Sequence, residues 1–327
     1  MMFIWKIAPA LVTGNTVVIK SAEATPLSAL KVCELIAEAG FPAGTVNLVS
    51  GYGKTVGSAI AHHMDVDKVA FTGSTATGRA IMRAAADSNL KKVTLELEHH
   101  LPRCRPRPSR RMVRLGNKHE LRPDLPPGTR VYVHEDIYDE FLARFTKTMS
   151  ELTVGHPFNK ETTQGPQNNQ MQYDKILGYI ESGIEEGATL HLGGKGVNKG
   201  TGGYYIQPTI FTDVTPEMKI MREEIFGPVV CISKFTSEAA VLHEANNTNY
   251  GLAAAVFTKD YERAIRVTNA LKAGTTWVNL YNLVHWSMPF GGFKESGIGR
   301  ECGEAVLENY THTKAVYFNM GMQAPRP

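Results

Sequence analysis

Short β-type runs and helical patterns alternate through the first hundred residues, and this alternation most restricts the possible folds. Asn15–Lys20 (NTVVIK) follows Gly14 and reads as a buried strand. Thr25 and Pro26 open a helix as N-cap and first helical residue, with Leu27, Leu30, Cys33 and Ile36 on one face and Gly40 as the stop. Val46–Val49 is the next strand, followed by Gly51 and Gly53, then a short helix over Thr55–His62. Lys68–Thr72 reads as a strand, Thr75–Ala86 as a helix and Lys92–Leu97 as a strand. Such alternation predicts an α/β chain with a parallel sheet wound by helices.

The pattern resumes after Gly128. Thr129–Val133 is a strand and Glu135–Leu152 an amphipathic helix, with Ile137, Phe141, Phe145 and Met149 four residues apart. A helix over Gln170–Glu186 follows. Val229–Phe235, Ala253–Thr258 and Thr275–Leu280 read as strands, with a helix over Tyr261–Leu271 between the last two. No internal repeat is visible.

Between these halves, Glu98–Pro127 obeys neither period. It holds six prolines and seven arginines and carries a net +5, so the other residues sum to −2. Proline at that density excludes a helix or a central strand. A long structureless insert inside a compact domain is itself anomalous.

The overall charge of +3 among 327 residues is too balanced for a nucleic-acid or membrane partner. No apolar run reaches membrane-helix length. Cys33, Cys104, Cys231 and Cys302 lack metal-ligand or redox spacing, which suits a reducing compartment and no bound metal. The start, Met1–Lys6, has no signal-peptide flank or cleavage site and reads as the middle of a longer chain. A cytoplasmic or mitochondrial location is expected, any leader lying upstream.

Five places carry candidate chemistry. Phe71–Gly78 (FTGSTATG) joins a strand to a helix, and the helix N-terminus offers N–H groups to a phosphate. A plain strand-to-helix turn explains the same residues. Lys20 and Glu23 follow a strand end, where an acid can bind ribose hydroxyls or simply belong to a solvated loop. Glu96, between Leu95 and Leu97, is either a desolvated general base or a member of a wet face shared with Lys92 and Thr94. Glu223–Pro228 (EEIFGP) and Pro289–Glu301 (PFGGFKESGIGRE) mix acids, glycines and aromatics beyond what packing needs, and alone read as structured loops.

Taken together, these stretches resemble the aldehyde dehydrogenase superfamily, in particular its NAD-dependent dimeric or tetrameric class that oxidises general aliphatic and retinoid-type aldehydes. Trp5–Leu97 is similar in order to that family's cofactor domain. Gly128–Phe318 is similar to its catalytic domain, returning strand and oligomerisation tail, with support from Asn246–Lys259 and Gly203–Thr209. The resemblance implies four parts: a Rossmann-type remnant at 1–97, the aberrant segment at 98–127, a catalytic domain at 128–297 and a return and oligomerisation tail at 298–327.

It also implies roles. Lys20 and Glu23 would hold the adenosine ribose, the acid favouring NAD over NADP. Gly53, Gly73 and Ser74 belong to the cofactor site, Ser74 as pyrophosphate contact. Glu224 and Phe226 would position the nicotinamide ribose and ring. Glu96 matches the general base that activates water, and Glu301 the acid that backs it in proton relay. The implied partners are an aldehyde and further subunits, either copies of this chain or an intact paralogue. The aromatic run Tyr281–Trp286 lies where the family lines its substrate tunnel, which suits a medium or large apolar aldehyde.

Three departures set this chain apart. The family's earlier strands and its oxyanion-stabilising asparagine would precede Met1; loss of such a donor costs on the order of 10²–10³ in rate. Leu97 is followed by Glu98-His99-His100 where the family has Gly-Gly-Lys, and those side chains would obstruct the nicotinamide. The nucleophilic cysteine's place, three residues before Gly128, holds Leu125, and Cys104 comes twenty-one residues too early. Arg, Pro, His and Leu in this stretch are what GC-rich codons yield out of frame. The expectation is a frame or splice error and an inactive chain, with a non-catalytic subunit of an intact paralogue as the alternative. A basic nucleic-acid arm is disfavoured by the lack of interleaved aromatics.

Overall fold

The computed structural model describes residues 2–97, 130–197 and 202–321. Readings that fall on Glu98, His99, Cys104, Leu125 and Gly128 therefore lie outside the described residues.

The first unit contains α1 (Met2–Val12), β1 (Val17–Lys20), α2 (Leu27–Glu38), β2 (Val46–Val49), a π-helical turn (Gly53–Gly57) and α3 (Ser58–His62). It continues with β3 (Lys68–Thr72), α4 (Thr75–Asp87) and β4 (Lys92–Glu96). β1 pairs with β2 and β3 with β4, both in parallel. The alternation read from the sequence is thus a wound α/β arrangement, divided here into two separate sheets.

Two local readings are corrected. α2 begins at Leu27, with Pro26 in the cap position and no side-chain cap, so Thr25 is not the cap. Its period-three face is not core: Leu27 is 78% exposed, and Ala29 is the one buried residue of the helix. α2 packs against β2.

The second unit begins with β5 (Arg130–His134), α5 (Glu135–Ser150) and α6 (Gln170–Glu185). β6 (Thr189–Leu192), β7 (Gly196–Val197), β8 (Tyr205–Ile206), β9 (Thr209–Thr212), α7 (Lys219–Arg222) and β10 (Val229–Phe235) follow. The chain then forms α8 (Glu238–Asn246), β11 (Tyr250–Gly251), β12 (Ala253–Val256), α9 (Tyr261–Ala270), β13 (Thr275–Val278), β14 (Phe293–Lys294) and β15 (Gly297–Ile298).

The four-stranded sheet runs β5-β10-β9-β6, parallel except for β6. Alternation along β10 explains its two covered faces. Val230 and Ile232 pack with Tyr138, Phe145 and Met149 of α5. Val229 and Cys231 pack with Ile176, Tyr179 and Ile180 of α6 and with Phe211 and Ile220. Ile137, expected on the α5 core face, is exposed, and Tyr138 takes its place. Phe141, Phe145 and Met149 lie on the core face as read, so only the first turn of the stripe differs.

The chain finally crosses back. β14 pairs with β11, and β15 pairs antiparallel with β4, Gly297 opposite Glu96. The return is locked by Leu97 N–H to Ser296 O at 2.9 Å and by Gly251 N–H to Ser296 Oγ at 2.8 Å. Ser296 is fully buried between the two units. This closure brings Glu301 toward the strand that carries Glu96.

Candidate active site

β3 and β4 build the floor of the site. Their register sets Lys68 opposite Lys92, Ala70 opposite Thr94 and Thr72 opposite Glu96. Side chains alternate along a strand, so Lys92, Thr94 and Glu96 share one face. That face is not wet. α1 contributes Lys6 and the return segment contributes Glu301 and Tyr310 above it. Glu96 is only 3% exposed.

Burial pushes the Glu96 carboxyl up to about 7, against an ordinary value of 4.5. Lys6 and the Thr72 side chain pull it down, and the neighbouring Glu301 carboxylate adds to the rise. A carboxyl titrating near neutrality in an enclosed position has the acid–base range a general base needs. Glu301 is buried too, with Oε1 accepting from Lys6 Nζ at 2.8 Å. Its Oε2 is buried with no hydrogen-bond partner among the described residues. The two acids that the sequence singled out thus face each other electrostatically, with Lys6 between them in charge.

Sequence reasoning missed Lys6. It is the single charged residue in the apolar helix α1, MFIWKIAPALV, and that isolation was the available signal.

Lys20, Glu23 and Gly53 converge at the end of β1. Lys20 Nζ lies 3.1 Å from Glu23 Oε2. The Glu23 carboxyl sits below its usual range, first because its own backbone N–H donates to it, then through Lys20; the Gly53 N–H also contributes. A Cβ at Gly53 would meet no atom within 4 Å, so the ground above it is open. Gly53 therefore orients Glu23 and leaves room beside it.

Ser74 caps α4. Its Oγ accepts from Thr77 N–H at 3.3 Å and lies 2.9 Å from Thr77 Oγ1. Gly73 N–H donates to the Glu96 carbonyl at 3.1 Å, which ties this helix start to the acid's own strand. Glu224 and Phe226 stand elsewhere, on the loop from α7 to β10. Phe226 is in the left-handed region at φ 54°, with its ring exposed, and its carbonyl accepts from Gln172 Nε2 of α6 at 3.0 Å. Tyr179, also of α6, donates to Glu223 Oε2 at 2.7 Å. One helix thus holds the loop at two points.

The described cysteines supply no activated nucleophile. Cys33 lies on α2, and Cys231 is buried in β10 with its thiol pushed up to about 12 by desolvation. Cys302 follows Glu301, and burial, Glu301 and Glu96 all raise it, which keeps the thiol protonated. Among the described residues no cluster of three or more His, Cys, Asp or Glu could hold a metal ion, and no helix is long and apolar enough to cross a membrane.

The profile of the Aldehyde dehydrogenase family matches residues 1–101 and 127–316. An aldehyde dehydrogenase of Alternaria alternata is 54% identical over 326 residues, covering 98% of this chain and 65% of the relative. One from Aspergillus niger is also 54% identical over 326 residues, with the same coverage of 98% and 65%. An NAD+ complex of aldehyde dehydrogenase from Bacillus cereus superposes with a TM-score of 0.90 at 44% identity, covering 98% of this chain and 65% of that one. The chain spans 65% of the length of the curated relatives it matches. A family match over residues 1–101 and 127–316, together with this fold, places the chain in the aldehyde dehydrogenase family.

Proposed function

We propose that the chain derives from an enzyme that oxidises an aldehyde to a carboxylic acid with NAD. The observation that carries the proposal is Glu96, desolvated to about 7 at the end of β4 beside the Lys6–Glu301 ion pair, in a chain of this family.

The residues present fit the cofactor. Glu23, anionic and half-exposed beside the open ground at Gly53, can accept from ribose hydroxyls and would repel a 2′-phosphate. Ser74 and the first turn of α4 suit a pyrophosphate. Glu224 and Phe226 are the candidates for the nicotinamide end. Bound NAD supplies the hydride acceptor. Glu96, as a carboxylate, would take a proton from the water that releases the acid, and Glu301, held by Lys6, would receive or return it. Desolvation keeps Glu96 basic enough for that task.

The nucleophile is what the chain as written lacks. Leu125 stands at its place and cannot form a thiohemiacetal, and Cys302 is held protonated. We therefore assign the natural activity to a sequence that differs over 98–127, and no turnover to this one. The test is the coding nucleotide sequence from Leu97 to Gly128 in all three frames, paired with aldehyde-dependent NADH formation by the purified chain. Another frame that spells Gly-Gly-Lys-Ser-Pro and Gly-Gln-x-Cys supports a misread enzyme. Turnover that survives Cys104→Ala but is lost in Glu96→Gln would overturn our view of the nucleophile.

A second reading, a non-catalytic subunit assembling with copies or an intact paralogue, is favoured by the tail. Val316, Tyr317, Phe318 and Met320 are exposed on a segment with no assigned secondary structure. Such an apolar run is the composition of a subunit contact. Co-purification with a full-length relative supports it.

A further inference from the structure

Gln172, Ile176, Tyr179 and Gly183 fall on one face of α6, at alternating steps of four and three residues, and the C-cap Glu186 continues the row. Each meets the segment that runs from α7 to β10. Glu186 Oε2 accepts from the N–H of Lys219, the first residue of α7, at 2.7 Å. Gly183 admits Ile220, since a Cβ there would stand 2.9 Å from Ile220 Cδ1. Tyr179 Oη donates to Glu223 Oε2 at 2.7 Å. A Cβ on Gly227 would come within 2.7 Å of Ile176 Cδ1, so the loop lies directly on the helix there. Gln172 Nε2 donates to the Phe226 carbonyl at 3.0 Å. Between the last two contacts and Glu223, Phe226 holds φ 54°. A left-handed phenylalanine persists only where its surroundings over-determine it.

We propose that Tyr179 is a positioning residue for Glu224 and Phe226, its hydroxyl fixing the loop by anchoring Glu223. The proposal rests on the reading of Glu224 and Phe226 as the nicotinamide end of the cofactor site; Tyr179 acts through Glu223. Its ring is buried in the core with Ile176, Ile220 and Ile225, so packing alone sets where the hydroxyl stands. A phenylalanine would satisfy that packing equally, and the hydroxyl is therefore extra to it. Glu223 is exposed, and without the phenol its carboxylate has water for a partner in many positions. Lys219 Nζ and Lys175 Nζ lie 5.1 and 5.6 Å from the centre of the Tyr179 ring, which further fixes the ring. Burial, and then the bond to Glu223, hold the phenol above its usual range, so it remains a donor. The start of the loop is thus tied to a rigid group of the core one residue before Glu224 and three before Phe226.

The test uses the purified chain as written, with NAD+ and ADP-ribose as probes, the second lacking nicotinamide. Two amides report on the loop by hydrogen exchange: Glu223 N–H, bonded to the Lys219 carbonyl at 2.9 Å, and Val229 N–H, bonded to the Gly227 carbonyl at 2.8 Å. In Tyr179→Phe both should exchange roughly three- to tenfold faster, with α5 and β9 unchanged. Calorimetry should show NAD+ binding weakened about threefold or more and ADP-ribose binding unchanged. Glu223→Ala should reproduce both effects, and Glu223→Gln, which keeps an acceptor oxygen, should restore wild-type behaviour. If Tyr179→Phe does not fold, Glu223→Ala, a change at an exposed side chain, decides alone. Unmoved exchange at both amides in the folded variant would overturn the proposal. Faster exchange with the two affinities in unchanged ratio would keep the anchor but remove Glu224 and Phe226 from the nicotinamide end, and the positioning role with them. Wild-type chain that binds neither probe is instead the failure of the NAD reading itself, and it removes the role whatever the exchange rates.

Discussion

Lys6 Nζ lies 2.8 Å from Glu301 Oε1, joining α1 to the segment after β15 across 295 residues. Both side chains are largely enclosed, so neither charge is well hydrated without the other. Lys6→Met should cost about 1–3 kcal/mol of stability by leaving Glu301 uncompensated. It should also lift the Glu96 midpoint above its present value near 7, since Lys6 is the main charge holding it down. Urea unfolding and carboxyl titration check the two parts separately.

Glu96 itself should impress a pH dependence on stability. Its folded value, about 7, lies above the ordinary 4.5, so the fold prefers the protonated form. The contribution is full below the ordinary value and is lost as pH rises through 7. The size is about 3 kcal/mol. Unfolding free energies measured at about pH 5 and about pH 8 should differ less by roughly that amount in Glu96→Gln. An equal difference in both proteins would remove the assigned burial of Glu96.

Gly297 permits the return. Its φ is +144°, and a Cβ there would fall on the Leu95 carbonyl and within 3.3 Å of the Glu96 Cα. Gly297→Ala should therefore force β15 off β4, at a cost of about 2–4 kcal/mol. Hydrogen exchange at Leu97 N–H, which bonds to Ser296, is the local readout. Unchanged protection there would show that the strand accepts a side chain.

The tail should govern association. Tyr317 is 94% exposed and Phe318 nearly as open. If the segment is a subunit contact, Tyr317→Asp with Phe318→Asp should lower the molar mass seen by light scattering, while circular dichroism stays the same. An assembly of undiminished mass would move the contact elsewhere.

Much of the fold was legible because strands such as Lys68–Thr72 and helices such as Thr75–Asp87 carry their own period, caps and glycines. α8 was not read, because none of its residues is buried and it leaves no apolar stripe. α1 was missed for the opposite reason: it is apolar nearly all round and shows no polar face. Lys20 and Glu23 meet because they are near in sequence, and Gly53 joins them because β2 pairs in parallel with β1, Val49 opposite Lys20. Glu96 stayed ambiguous beside Lys92 and Thr94, since alternation tells which residues share a face and not what covers it. The cover comes from Lys6 and from Glu301 and Tyr310, remote in sequence on either side.

The pairing of Gly297 with Glu96 also has a temporal side. Its partners are about 200 residues apart, and such distant contacts form late in folding. During synthesis β4 leaves the ribosome long before β15 exists, so the strand bearing the acid waits with one edge unclaimed. An uncovered β4 edge is a template for pairing with other chains. Nascent-chain aggregation should thus depend on how quickly synthesis proceeds from β4 to β15, and a stall between α9 and β15 should be more harmful than one after Tyr310.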